Sequence, residues 1–138
     1  MSATVSRHSL GDGFFGIEEV PGVDGARSSL GHRRARSGEL REAYPAGTHD
    51  IELGYTGVPR PDAVADYTAD LLRAIPRCRR VVLPLPERDL EAIGWAEDAG
   101  FRYVIDVETI TGGYSLLVKE PQWVLDQPAI LEDIPLKE

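Results

Sequence analysis

Residues 80–85, Arg-Val-Val-Leu-Pro-Leu, hold the longest nearly unbroken apolar run in the chain. A run this short, without polar alternation, reads as a strand covered on both faces of a sheet. It is far below the roughly 20 apolar residues that a membrane helix needs. The first eleven residues carry a single Arg7 and no apolar segment of the signal-peptide kind. One cysteine, Cys78, excludes a disulfide framework within one chain. These features predict a cytoplasmic protein, and 138 residues suit a single domain over 1–138.

The pattern around this run is regular from His49 onward. Residues 49–58 (HDIELGYTGV) predict a strand with Ile51, Leu53 and Tyr55 on one face. Pro59 to Asp62 is a break, with Asp62 an N-cap or a first-turn acid that suits the helix dipole. Val64, Thr68, Leu71, Leu72 and Ile75 recur at helical spacing, Asp66, Asp70 and Arg73 lie opposite, and Pro76 ends the helix. A second helix is predicted over 88–99, with Leu90, Ile93 and Ala96 inward and Gly100 as its C-terminal cap. Residues 101–110 alternate Phe101, Tyr103, Ile105 and Val107 against polar neighbours, which predicts a strand. Gly112-Gly113 offers a hairpin turn, and 114–119 the returning strand. The fold class is therefore α/β or α+β with a mixed sheet.

The two ends are less regular. Residues 13–20 read as a strand closed by Pro21, and 21–40 as a mobile loop or an irregular strand pair, so 1–48 is taken as an irregular N-terminal part. Within it Arg33, Arg34 and Arg36 form either a solvated basic loop or an anion site gripping phosphate or carboxylate bidentately. Residues 121–138 read as a C-terminal arm whose apolar residues, Trp123, Val124, Leu125, Ile130 and Leu131, suit a partner or a second copy. The net charge of −8 falls wholly in 49–138, since 1–48 balances to zero. A surface of that sign repels phosphate backbones, so nucleic acid is not an expected partner, and it suits a cationic amine as well as plain solubility.

Two stretches carry a family resemblance. Residues 51–72, IELGYTGVPRPDAVADYTADLL, are similar to the strand–turn–helix segment of the ribosomal-protein alanine acetyltransferases, with Glu52, Gly54, Tyr55, Pro59 and Thr68 in register. Residues 89–101, DLEAIGWAEDAGF, are similar to the helix that follows in that group, with Ala92, Gly100 and Phe101 matching. In order and spacing, roughly the second half of the chain resembles the GNAT superfamily of acyl-CoA-dependent N-acyltransferases. The resemblance implies a mostly antiparallel mixed sheet flanked by helices, acetyl-CoA as co-substrate and an amine as acceptor. It implies cofactor contacts at Gly57, Val58, Arg60, Ala63, Val64, Ala65 and Asp89, the last standing where the family has Asn. It places Glu52 as general base, against a bland reading as a solvated strand residue. The family's acidic Tyr is Ala96 here, so Tyr55, Tyr67 and Tyr103 are the candidates for the general acid, with core packing the bland reading of Tyr55 and Trp95.

The sequence also departs from that pattern. The glycines that let a backbone approach the cofactor pyrophosphate are Ala63 and Ala65, Pro61 lacks an N–H, and Asp62 adds a negative charge. These departures keep a second reading open, a binding or regulatory module that has lost acetyl-CoA. His8, His32 and His49 show no metal-ligand spacing, and Cys78 follows a helix C-terminus that disfavours a thiolate, so neither metal nor cysteine chemistry is expected.

Overall fold

The computed structural model describes residues 13–35, 40 and 49–126. Arg36 and the tail beyond Asp126, with Ile130 and Leu131, lie outside the described residues. Along the chain run β1 (Phe15–Pro21), β2 (Arg27–Arg34), β3 (Ile51–Thr56), α1 (Pro61–Ala74), β4 (Val81–Pro86), α2 (Leu90–Asp98), β5 (Arg102–Thr109), β6 (Gly112–Lys119) and the short α3 (Gln122–Leu125). The six strands form one sheet in the order β1-β2-β3-β4-β6-β5. Only β3 and β4 are parallel; the other neighbours are antiparallel. This is the mixed, mostly antiparallel sheet flanked by helices that the sequence implies.

The apolar run at 81–85 explains where the core sits. Val81, Leu83 and Leu85 point into a cluster with Leu30, Ile51, Leu53 and Leu117, covered by Val64, Tyr67 and Leu71 of α1 and Ala96 of α2. Val82 points the other way, into a smaller cluster with Leu40, Leu116 and Val118. Each such side chain, fully removed from water, contributes about 1.5–3 kcal/mol. α1 begins on Pro61, whose missing N–H has no helical partner to lose. α2 begins on Asp89, whose carboxylate accepts from the Ala92 N–H at 3.1 Å, and ends before Gly100, held at a left-handed φ of 99°.

Several local expectations are corrected. Of the two readings of the N-terminal stretch, the structure holds the strand pair, antiparallel with an irregularity between Phe15 and Glu18, and Ser28, Leu30 and Gly31 are buried against β3. Leu90 is 79% exposed, since the buried row of α2 runs through Ala92, Ala96 and Ala99. The β5–β6 turn is Ile110-Thr111 and not the glycine pair; Gly112 and Gly113 open β6, where a side chain at Gly113 would strike the Glu87 carboxylate. The alternation of β5 breaks at an irregularity between Tyr103 and Ile105, so Tyr103, Val104 and Ile105 are all exposed on this edge strand. Trp123, placed on the arm, packs its ring under Arg79 at 5.4 Å.

A small polar bolt ties β1 and β2 to α1. The Tyr67 hydroxyl donates to the Gly16 carbonyl at 2.8 Å, which leaves its oxygen to accept from His32 Nδ1 at 2.9 Å. Burial holds the His32 imidazole below its ordinary value of 6.5. With the folded value depressed, the unfolded chain takes up the proton first as pH falls, so this part of the stability is full above about pH 6.5 and is lost below it. A fall in melting temperature between pH 7 and pH 5 is expected, and His32→Asn should show a smaller fall over the same range.

Candidate active site

The site is a gap in the sheet. β3 and β4 pair only at Ile51↔Val81 and Glu52↔Val82, and then part. The cause lies in the sequence of β4. Alternate residues of a strand turn their backbone groups toward opposite neighbours, and Pro84 and Pro86 sit inside an unbroken ladder with β6. A proline is tolerated there only where its missing N–H faces the other side. Both absent donors therefore face β3, and the parallel ladder cannot continue past Val82. Leu53 to Thr56 keep their partners in β2 but have no strand beside them on the β4 side.

Two clefts open at the gap and share Tyr55 and Gly57. The smaller, about 410 Å³, is lined by Phe14, Arg33, Glu52, Leu53, Gly54, Thr56, Pro84, Pro86 and Tyr114 besides the shared pair. Its floor is an ion pair. Arg33 Nε and Nη2 donate to Glu52 Oε1 and Oε2, each at 3.1 Å, and the guanidinium lies 4.4 Å from the Phe14 ring centre. The Glu52 side chain is 6% exposed and that of Arg33 19%, so Glu52 is no solvated strand residue. Of the expected arginine cluster, Arg33 does grip a carboxylate bidentately, and the carboxylate belongs to the chain itself.

The larger cleft, about 700 Å³, lies between the β3–α1 turn and α2, lined by Val23, Val58, Pro61, Asp89, Glu91, Ala92, Gly94, Trp95 and Asp98 besides the shared pair. Trp95 donates to the Pro59 carbonyl at 2.6 Å and packs on Tyr55, with ring centres 4.9 Å apart. Tyr55 thus packs in the core and lines both clefts. Burial, and then the Asp89 charge, raise the Tyr55 phenol above its usual range, so it stays protonated at neutral pH. The turn needs Gly57, at φ 69°, because a side chain there would lie 2.9 Å from the Arg27 carbonyl. Nothing lies within 4 Å of where a Gly94 side chain would project, which leaves that helix face open to a ligand.

The expected site residues divide accordingly. Glu52, Tyr55, Gly57, Val58 and Asp89 line the clefts. Arg60, Ala63, Val64 and Ala65 do not; Val64 is a core residue, and its N–H is spent on the Arg60 carbonyl at 3.0 Å. Of the other acid candidates, Tyr67 belongs to the β1–α1 bolt and Tyr103 lies on the exposed edge, donating to Asp106 at 3.0 Å. Tyr114, Phe14, Gly94 and the two β4 prolines are site residues that sequence reading missed. The one available signal was Pro84 and Pro86 inside a strand otherwise fit for the sheet centre. Cys78 is buried and its thiol is pushed up to about 11, mainly by burial, so it stays un-ionised. Among the described residues no cluster of His, Cys, Asp or Glu could hold a metal, and no helix is long and apolar enough to cross a membrane.

No family model and no curated protein matches the sequence. Solved structures do match the fold. An uncharacterized protein from Bacillus halodurans superposes with a TM-score of 0.59 at 18% identity, over 71% of this chain and 54% of that one. The aminoglycoside acetyltransferase AAC(6')-Ib in complex with coenzyme A and kanamycin gives 0.56 at 18%, over 72% and 63%. The same enzyme with ribostamycin and coenzyme A gives 0.55 at 17%, over 76% and 64%. The chain thus spans between 54% and 64% of the length of these proteins. The likeness does not single out the ribosomal-protein subgroup. At this identity it shows the architecture alone, and that architecture is the GNAT fold.

Proposed function

We propose that the chain transfers an acetyl group from acetyl-CoA to a cationic amine. The observation that carries this reading is the gap between β3 and β4. It leaves the β4 side of Leu53–Thr56 without a strand partner, between two clefts that meet at Tyr55. Backbone groups without a strand partner are what an amide-bearing pantetheine arm needs, since each must find a hydrogen bond. The open face at Gly94 leaves room beside them. Acetyl-CoA, when bound, supplies the thioester carbonyl that an amine attacks. The carboxylates of the larger cleft and the acidic surface favour a positively charged acceptor.

Within this reading Glu52, the one carboxylate lining the smaller cleft, takes the proton from the acceptor nitrogen through a water, held in place by Arg33. Tyr55, kept protonated, donates to the sulfur as the carbon–sulfur bond breaks and the amide forms. The protein's acidic balance and its fold speak equally for peptide, polyamine and aminoglycoside amines. A thiol-release assay with acetyl-CoA and these three classes tests the reading. Amine-dependent release with at least one class is expected. Release no faster than the amine-free rate, together with no heat on titrating CoA at millimolar concentration, would leave the second reading, a binding module without the donor. That alternative has one observation in its favour, the N-terminus of α1, which starts on a proline and carries the Asp62 charge.

A further inference from the structure

The four backbone donors at the start of a helix are the usual place for a phosphate, and in α1 two of the four are lost. Pro61 has no N–H. The donors of Asp62 and Ala63 have the negative charge of the Asp62 carboxylate beside them. The Arg60 N–H is bonded to the Pro21 carbonyl at 2.9 Å. The nearest cation is occupied as well. Arg60 Nε and Nη2 donate to the two Asp62 oxygens, each at 3.2 Å, so the turn presents a balanced pair and not a net positive charge. The larger cleft is acidic: Asp89, Glu91 and Asp98 line it, and none of the described lining residues is basic. A diphosphate laid here would meet carboxylates. The pantetheine strip on β3 has no such conflict, since Leu53 to Thr56 have no partner strand on the β4 side.

We infer that the site recognises its donor by the acyl-pantetheine arm and leaves the nucleotide diphosphate ungripped, so that acyl thioesters of pantetheine without the nucleotide serve it as donors. This rests on the acyltransferase reading above. A diphosphate held in the usual way adds charge-assisted hydrogen bonds, each contributing about 1.5–3 kcal/mol, or roughly tenfold to a hundredfold in affinity. In this protein that increment is absent.

The test compares the two free thiols, CoA and pantetheine, by calorimetric titration of the full chain, and their acetyl thioesters in the thiol-release assay. Dissociation constants within about tenfold of each other are expected, a difference of under ~1.4 kcal/mol. CoA binding more than tenfold tighter than pantetheine overturns the inference and leaves the acyltransferase reading standing. Binding of neither overturns both. Asp62→Ala gives a second measure that needs no turnover. Removing the carboxylate takes away the charge that neutralises Arg60 and opposes a diphosphate at the helix end, so the ratio of CoA to pantetheine affinity should rise at least about fivefold. An unchanged ratio would show that Asp62 does not close the helix end.

Discussion

Exchanging Glu52 for Gln is expected to lower kcat for amine acetylation by about 10²–10⁴-fold, the range spanned by a lost general base. The substitution keeps the shape of the side chain and removes the charge that draws the proton. Donor binding should move little, because in the proposed reading backbone groups of β3 hold the pantetheine arm. The exchange also breaks the bidentate pair with Arg33. With the partners 6% and 19% exposed, the stability cost should be about 1–3 kcal/mol, below that of a fully buried pair. Turnover is therefore read at a temperature where both proteins are folded by circular dichroism. Arg33→Lys separates the two roles. It keeps the charge and loses the fork, so it should lower kcat less than Glu52→Gln and shift the pH profile of kcat. A Glu52→Gln protein with kcat within about threefold of the parent would remove Glu52 from the chemistry.

A protein made more stable and less able to bind its donor is the expected outcome of replacing Pro84 and Pro86 together by Val. The two new N–H groups face β3, where the Leu53–Thr56 strip has no strand beside it. Each added ladder bond contributes about 0.5–1.5 kcal/mol net, and valine suits a strand better than proline. Closing the gap occupies the backbone groups that the donor needs, so CoA affinity should fall by about a hundredfold or more. Thermal melting and calorimetry on the same sample check both signs. Unchanged CoA affinity with a higher melting temperature would mean that the donor does not lie in the gap.

These expectations draw on features that were unevenly legible in the sequence. The strand and helix order from residue 51 onward follows from periodicity, because Ile51, Leu53, Leu71, Val81 and Leu117 all reach one core. The position of Glu52 beside the gap followed from the segment's resemblance to a known strand–turn–helix. Its partner did not. Arg33 reaches Glu52 through the β2–β3 register, a long-range pairing that local pattern does not encode. The β5–β6 turn was misplaced because two glycines signalled it, whereas both glycines pair with β5 and the turn falls on Ile110-Thr111. Spacing alone puts Leu90 inward, and it is exposed on the first turn of α2. The prolines of β4 were read as part of a buried strand, and their effect on the neighbouring ladder emerged only with the order of the strands.

The same gap divides the sheet mechanically. β1-β2-β3 and β4-β6-β5 are two three-stranded halves, each richly laddered within itself and stitched to the other at two residue pairs. Amides of the two halves should accordingly exchange with solvent as separate cooperative units, the seam opening at a lower free energy than either half. A molecule seated across it, bonded to β3 on one side and packed on β4 and α2 on the other, would act as a stitch. It would merge the two exchange units into one, and the protein would report occupancy of its own site as a change in cooperativity.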